Sequence, residues 1–361
     1  QWFPKVGVLQ VLGERQAWHC EPFHANSEFF ADFGIYDVTL ETPETHVVAA
    51  TGVLQTAEPI GDGWRRLVYH AEDVHDFAWM ADPYMDVLRG TADGDVDVRI
   101  YYRPEQADFA PRHLAAAIKT IEIYGRLFGP YPWTIMSVID PPADATEGAG
   151  GMEYPTLVTT ASDNVFTSLD GAWMPEFVTV HEVGHNWFQG LLASNEVDEA
   201  WLDEGINQYA NGIVMDQWKG ADRSVFDVAG VRLGYSDLLG LSDLGDLVAP
   251  IATRSYEFAT PGEYATTTYS KTAVALKTLE NMVGSDKFWH ALGVYAQTFA
   301  FAHPTRDDFF RTLRQELGDA LLGDLNWYLD PAFQGVGGTD FRVSSLTSRK
   351  IHAERGVFGE G

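Results

Sequence analysis

The 361-residue chain has a single cysteine, Cys20, so neither an internal disulfide nor a zinc site built from cysteines can form. We expect the lone thiol to be a buried apolar side chain. Basic residues are also scarce, since 24 Lys and Arg stand against 52 Asp and Glu and the formal net charge is −28. Such a charge repels nucleic-acid phosphates and the anionic face of a membrane, so we expect neither as a partner.

The chain also lacks a run of 18 consecutive apolar residues and shows no signal-peptide pattern at its start. These two absences predict a soluble protein without a transmembrane segment, or a chain from which an address segment has been removed. Hydrophobic residues make up 45% of the sequence and aromatic residues 13%, which indicates a globular protein. The length favours two domains, or one large domain with an attached layer.

The composition changes from strand-like to helix-like near residue 107. Residues 33–40 and 96–102 are rich in β-branched and aromatic residues, whereas residues 112–128 carry apolar residues at helical spacing. We therefore predict an α+β fold with a β-rich N-terminal domain over residues 1–106, a mainly helical domain over 107–330 and a strand-like segment over 331–361.

The segment that says most about chemistry is H-E-x-x-H, formed by His181, Glu182 and His185. Positions i and i+4 lie on one face of a helix, so both imidazoles can bind one ion. Zinc favours nitrogen ligands, and a catalytic zinc takes a third protein ligand and keeps an open position. Glu204, which follows His185 after 18 residues, is the predicted third ligand. The motif and its spacing thus predict a site for one Zn²⁺.

The residues around the motif distinguish between classes of zinc enzyme. A metzincin needs Gly and His where Phe188 and Leu191 stand, which excludes that class. Glu182 lies beside the metal rather than on it, where its carboxylate can take a proton from a zinc-bound water and pass it to the leaving amine. We therefore predict Glu182 as the general base.

At this point the chain resembles the aminopeptidase-N-like zinc metallopeptidases, the gluzincin family that includes leukotriene hydrolase. The family signature of H-E-x-x-H, 18 residues and Glu is matched by HEVGHNWFQG and WLDEGI, whereas thermolysin-like endopeptidases place this Glu one residue further on. GGMEYP at residues 150–155 is similar to the G-x-M-E-N exopeptidase motif, and YSKTA at 269–273 looks like the Y-x-K-G-A segment. WFPK at 2–5 and FAW at 77–79 fit the family's N-terminal domain. The resemblance implies a thermolysin-like catalytic domain in a bacterial-type member.

The resemblance also implies roles for particular residues. It makes Tyr269 the hydrogen-bond donor to the tetrahedral oxyanion, for which a neutral phenol is suited. It makes Glu153 the partner of the substrate's free α-ammonium, next to glycines that let the peptide backbone approach. The substrate-binding residues that it implies are Gly150, Gly151, Met152, Glu153 and Tyr264.

Two departures from the family pattern leave alternatives open. Tyr154 replaces the Asn of the exopeptidase motif. Relatives carry a second amine-anchoring residue upstream of WFP, and this residue is not in the present chain. Relatives also continue into a C-terminal domain. We interpret the chain as a truncated two-domain portion or a naturally short or cleaved member. The sequence predicts a zinc aminopeptidase acting on peptides with a free N-terminus. The alternatives are a zinc endopeptidase or other zinc hydrolase on the same scaffold, and a non-catalytic binding protein.

Overall fold

The computed structural model describes residues 2–12, 15–162, 169–242, 249–318 and 325–336, together with residues 345 and 347. Its strands occupy mainly the first part of the chain and its helices the second, which confirms the predicted α+β fold. The described strands are β1 (Val8–Leu12), β2 (Arg15–His19), β3 (Gly34–Pro43), β4 (Val47–Ala50), β5 (Val53–Gly61), β6 (Trp64–Val74), β7 (Trp79–Asp82), β8 (Asp86–Ala92), β9 (Val96–Tyr102), β10 (Ile135–Ile139), β11 (Leu157–Thr159), β12 (Phe226–Val228) and β13 (Val231–Leu233).

The helices follow from residue 110 onward, and a π-helical turn at Thr266–Lys271 leads directly into one of them. The described helices are α1 (Ala110–Phe128), α2 (Thr146–Ala149), α3 (Met174–Phe188), α4 (Glu196–Glu199), α5 (Glu204–Lys219), α6 (Tyr235–Ser242), α7 (Pro261–Ala265), α8 (Thr272–Val283), α9 (Ser285–Thr298), α10 (Arg306–Leu317) and α11 (Asn326–Gln334). None of them combines the length and the apolar composition needed to cross a membrane.

The β-rich part is built from antiparallel pairs. Strand β6 lies between β3 and β5, β4 pairs with β7, and β1 pairs with β2 in a separate hairpin. Side chains alternate in burial along β3 and β6, as expected for strands with one face on a core. That face contributes to a small apolar core around Leu40, Leu67, Tyr69 and Phe77.

A four-stranded sheet joins the two sides of the predicted boundary. Strand β8 is antiparallel to β9, while β9, β10 and β11 run parallel in that order. All five residues of β10 are buried, as expected for a central strand covered on both faces. The division at residue 107 therefore stays a prediction that falls between strands of one sheet.

The helices that carry the site pack against one another on this sheet. Helix α1 contacts α3, and α3 contacts α5. The ring of Tyr124 in α1 meets that of Trp187 in α3 edge-on at 5.4 Å, and both side chains are fully buried. Rigid aromatic packing of this kind fixes α3 within the main core.

Two expectations from the sequence were wrong. Cys20 is exposed rather than buried, because it follows the second strand of a hairpin in which residues 16–18 are exposed as well. Helix α11 runs to Gln334, so residues 331–334 are helical rather than strand-like. Within the segment 341–346, which has strand-like composition, only residue 345 is described, and it lies in no strand.

Candidate active site and metal centre

The H-E-x-x-H motif lies in the last two turns of α3, as its spacing predicts. Pro175 occupies the first turn of this helix, where the missing N–H of proline leaves no hydrogen bond unmade. His181 and His185 project from one face and are 8% and 1% exposed. Their ring centroids lie 4.6 Å apart, so the two imidazoles point into a common space.

A glycine inside the motif allows the neighbouring helix to come close. A Cβ atom at Gly184 would lie 2.2 Å from the Oδ1 atom of Asn207 in α5. Asn207 uses this proximity to donate a hydrogen bond of 2.6 Å from Nδ2 to the carbonyl oxygen of His181. Asn211, one turn further along α5, donates to the carbonyl oxygen of Phe177 at 3.1 Å. The two amides bind α5 to α3 along the length of the motif.

Helix α5 begins at Glu204, and this start brings the third predicted ligand to the two histidines. The Oε2 atom of Glu204 lies 3.0 Å from Nε2 of His181 and 3.1 Å from Nε2 of His185, and the two Nε2 atoms lie 3.0 Å apart. The three predicted metal ligands are therefore brought together in a buried triangle.

The donor atoms of this triangle fit a zinc ion. Two imidazole nitrogens and one carboxylate oxygen form a set that zinc prefers, and donors bound at about 2.0–2.1 Å in tetrahedral geometry lie about 3.3–3.4 Å apart. The Nδ1 atom of His185 lies 2.5 Å from Oδ1 of Asp203. This contact places the proton of a neutral His185 on Nδ1 and leaves the lone pair of Nε2 for a cation. The triangle is thus suited to one divalent ion.

Burial and close charges shift the titration of these groups. Burial by itself would raise the pKa of Glu204, but His185 and His181 lower it below the usual range. Burial and the neighbouring His185 lower the pKa of His181. Burial opposes protonation of His185 too, yet Asp203 and Glu204 raise its pKa well above the usual value. Asp203 and Glu204 thus stabilise a positive charge at the triangle.

Glu182, the predicted general base, lies next to the exopeptidase-like loop. A Cβ atom at Gly151 would lie 3.4 Å from Oε1 of Glu182, so this loop passes directly over the carboxylate. Gly151 has φ +71°, a backbone conformation that favours glycine. Burial raises the pKa of Glu182 to about 8. A carboxyl group with its pKa near neutrality is suited to taking and giving a proton.

Tyr269 lies in the π-helical turn, where the inserted residue widens the helix. Its ring stacks on the ring of His181 with 5.7 Å between centroids and meets Tyr264 edge-on at 6.1 Å. Burial and the charge of Glu204 raise the pKa of Tyr269 well above its usual value. The phenol therefore stays protonated and can donate a hydrogen bond next to the triangle.

The exopeptidase-like residues lie at the edge of the four-stranded sheet, beside β11. Met152 pairs with Thr159 across a single antiparallel bridge, with the Thr159 N–H donating to the Met152 carbonyl oxygen at 2.8 Å. A Cβ at Gly150 would lie 2.9 Å from Thr146, so this position accepts only glycine without a shift. Glu153 follows Met152 in the chain and is 7% exposed. The loop thereby places a buried carboxylate near the candidate metal centre.

Two acidic residues of the site have no motif of their own. Asp203 immediately precedes Glu204 in WLDEG, and this adjacency is the only sequence signal for it. Glu196 lies in α4 and accepts hydrogen bonds from the hydroxyl of Tyr264 at 3.3 Å and the backbone N–H of Glu28 at 2.5 Å. Oxygens of Glu153, Glu196 and Asp203 lie within 4.8 Å of one another. Only the folded chain brings these carboxylates to the same place.

The described fold thus brings two histidines and a carboxylate together in a buried site that is suited to a metal ion. Residues 112–330 match the model of the peptidase family M1 domain. The chain belongs to this family, and the resemblance to aminopeptidase-N-like gluzincins is confirmed.

Relatives share the family at low sequence identity. Aminopeptidase M1-B of Oryza sativa subsp. japonica is 23% identical over 317 residues, which cover 84% of this chain and 34% of the relative. Aminopeptidase M1 of Arabidopsis thaliana is 24% identical over 299 residues, which cover 79% and 32% respectively. Aminopeptidase N of Oryctolagus cuniculus is 24% identical over 283 residues, covering 72% and 28%. The chain thus spans about a third of the length of these relatives.

Proposed function

We propose that this chain is a zinc-dependent aminopeptidase that removes N-terminal residues from peptides with a free N-terminus. The observation that carries the proposal is the triangle of His181, His185 and Glu204, with Glu182 and Tyr269 beside it. Membership of peptidase family M1 and the aminopeptidase names of the relatives support the same reaction.

The proposed reaction divides the chemistry between the ion and the protein. When bound by His181, His185 and Glu204, Zn²⁺ would lower the pKa of a water molecule and polarise the scissile carbonyl. Glu182 accepts the proton of the attacking water and delivers it to the leaving amine. The hydroxyl of Tyr269 donates to the carbonyl oxygen as that oxygen gains negative charge.

The free N-terminus of the substrate is recognised at the exopeptidase-like loop. Glu153 is buried, and among the described residues it makes no hydrogen bond or ion pair with its carboxylate. A buried carboxylate without a partner is costly, so it favours binding of a cation such as an α-ammonium. In this proposal Gly150, Gly151 and Met152 offer their backbone to the peptide, and Tyr264 lies in the wall of the same pocket.

The experiment that tests the proposal compares one short peptide with a free N-terminus and the same peptide N-acetylated. The zinc-loaded protein should cut only the free peptide, and Glu153→Ala should lose this preference. Glu58→Ala, which removes an exposed carboxylate from β5, is the control and should behave like the wild type. A zinc-loaded protein that cuts neither peptide would overturn the proposal.

A second candidate, a zinc endopeptidase on the same scaffold, is favoured by Tyr154. This half-buried side chain stands where the exopeptidase motif has Asn, directly after Glu153. The same experiment separates the two candidates, since equal cleavage of both peptides keeps the zinc chemistry and removes the aminopeptidase assignment. The third interpretation is a non-catalytic binding member, and the convergence of all three proposed ligands supports the catalytic interpretation over it.

The general base needs a separate test. Glu182→Gln should lower turnover by about 10²–10⁴-fold, because the amide cannot accept the proton of the attacking water. Its zinc content should equal that of the wild type, since Glu182 is not among the three converging ligands. Turnover close to that of the wild type, with zinc bound, would remove Glu182 from the proposed mechanism.

A further inference from the structure

Three buried carboxylates lie together next to the metal centre. Glu153, Glu196 and Asp203 are 7%, 4% and 0% exposed, and each offers an oxygen within 4.8 Å of the others. Of these, Asp203 is already engaged, because its Oδ1 atom contacts Nδ1 of His185 at 2.5 Å. Glu153 and Glu196 remain, and neither forms an ion pair with a Lys or Arg of the described chain.

Glu153 is the observation that points to a missing cation. Its side chain is more than nine-tenths buried, yet its carboxylate has no hydrogen bond or ion pair with any described residue. Burial raises the pKa of this carboxyl group well above its usual value, although the charge of His185 acts in the opposite direction. A ligand that brings a positive charge and several N–H donors would supply what this carboxylate lacks.

Glu196 is held in place by neutral donors only. The hydroxyl of Tyr264 donates to Oε1 at 3.3 Å, and the backbone N–H of Glu28 donates to Oε2 at 2.5 Å. Asn195 caps α4 by accepting from the Val197 N–H at 3.1 Å, which fixes the start of the helix that carries Glu196. These contacts orient the carboxylate toward Glu153 and leave its negative charge uncompensated.

We propose that Glu196 is a second anchor for the α-ammonium of the substrate and binds it together with Glu153. This inference rests on the proposed function and adds a specificity residue to it. An ammonium group has three N–H donors and can satisfy two carboxylates at once. The chain then supplies both negative charges from its own described segments, one from the exopeptidase-like loop and one from α4. Two carboxylates at this spacing select a free, charged N-terminus over an acylated one.

Binding of two matched alcohols to the zinc-loaded protein tests the inference without turnover. L-leucinol carries the amine, and 4-methyl-1-pentanol has the same skeleton without it. The wild type should bind leucinol more tightly, and Glu196→Gln and Glu153→Gln should each weaken leucinol binding by about 10- to 100-fold while leaving the amine-free alcohol unaffected. Calorimetric titration gives both dissociation constants on the same sample.

The control variant is Asp198→Asn, which removes a carboxylate from the same short helix. Asp198 pairs with Arg254 at 3.1 Å and is partly exposed, so this change should leave the preference for leucinol as in the wild type. Tyr264→Phe keeps the charge of Glu196 but removes one donor that orients it, and should weaken leucinol binding by a smaller factor. Because the two alcohols are compared on one protein, a folding or metal defect would alter both affinities, whereas loss of the amine contact alters only one.

The outcomes separate this inference from the proposed function. A Glu196→Gln variant that keeps the wild-type preference, or a wild type without any preference for leucinol, overturns the inference. If Glu196→Gln keeps the wild-type preference for leucinol and also cuts the free peptide with the wild-type KM, the aminopeptidase proposal is retained and only the role of Glu196 is lost. If the wild type prefers leucinol through Glu196 but cuts no peptide, the amine site stands and the proposed activity falls.

Discussion

The Nδ1 atom of His185 lies 2.5 Å from Oδ1 of Asp203, so the residue just before Glu204, the third proposed metal ligand, orients the second proposed ligand. Asp203 is fully buried, and burial raises its pKa to about 6 although His185 opposes the shift. A carboxylate behind a metal-binding histidine fixes the ring and increases its basicity. The start of α5 therefore supplies, in consecutive residues, one proposed metal ligand and the side chain that orients another.

Removing this support should weaken zinc binding. We expect Asp203→Ala to lower zinc affinity by about 10- to 100-fold, and Asp203→Asn to have a smaller effect because its amide oxygen still accepts from Nδ1. Competition with a chromogenic chelator measures the affinity. Asp198→Asn, five residues earlier, serves as the control and should bind zinc like the wild type. Equal zinc affinity of Asp203→Ala and the wild type would show that the contact does not support the ligand.

Tyr269 should act on turnover rather than on substrate binding. Tyr269→Phe removes the hydroxyl but keeps the ring that stacks on His181, so we expect kcat to fall by about 10²–10³-fold with little change in KM. Steady-state kinetics on a peptide substrate gives both constants. Tyr84→Phe removes an exposed hydroxyl and should leave both unchanged. A wild-type kcat in Tyr269→Phe would exclude the oxyanion role.

The convergence of the three proposed metal ligands could be predicted because its signal is local. His181 and His185 need only a helical turn to share a face, and Glu204 is identified by a fixed distance along the chain. The helix at Ala110–Phe128 was predicted within two residues because apolar residues recur at helical spacing over its whole length. Periodicity and motif spacing thus predict the secondary-structure elements and the proposed set of metal ligands.

The remaining features depend on contacts between distant segments. Glu196 lies 43 positions after Glu153 in the sequence, yet carboxylate oxygens of the two residues lie within 4.8 Å of each other. The backbone N–H of Glu28 donates a hydrogen bond to the carboxylate of Glu196. The sheet that pairs β9 with β10 across residue 107 likewise follows from tertiary packing and not from a change in composition. A change in composition therefore shows where the helices begin, but it does not show which strands belong to the sheet on which they pack.

The approach of α5 to the turn that carries Tyr269 depends on Gly205. A Cβ atom at this position would lie 2.4 Å from Thr272 and 2.6 Å from the carbonyl oxygen of Thr268. We expect Gly205→Ala to destabilise the protein by about 1–3 kcal/mol, since either α5 or the π-helical turn has to move. The same shift should lower turnover, because it separates Glu204 from Tyr269. Denaturant unfolding and steady-state kinetics measure the two effects.

Gly240 in α6 is the matched control for this glycine. No atom lies within 4 Å of a Cβ built there, so Gly240→Ala should leave stability unchanged or increase it by up to about 1 kcal/mol. If Gly205→Ala is as stable and as active as Gly240→Ala, the close approach of α5 does not require glycine.

His75 links the β-rich part to the loop after α3 and should make the fold sensitive to acid. Its Nε2–H donates to the carbonyl oxygen of Gln189 at 2.9 Å, and the side chain is 6% exposed. Burial, together with the charge of Lys5, lowers the pKa of His75 to about 4, although Asp76 acts in the opposite direction. The neutral imidazole is therefore the form that the folded state accommodates.

Because the pKa of His75 is about 4 in the folded state and 6.5 when exposed, the unfolded chain binds the proton first as the pH falls. The contribution of the neutral ring is complete above pH 6.5 and is lost between that value and pH 4, by about 3 kcal/mol in total. His75→Gln should therefore lose less stability over this range than the wild type, as measured by urea unfolding at a series of pH values. His290→Gln, at an exposed position, should follow the wild-type curve. If His75→Gln and the wild type lose the same stability between pH 6.5 and 4, the acid sensitivity arises elsewhere in the chain.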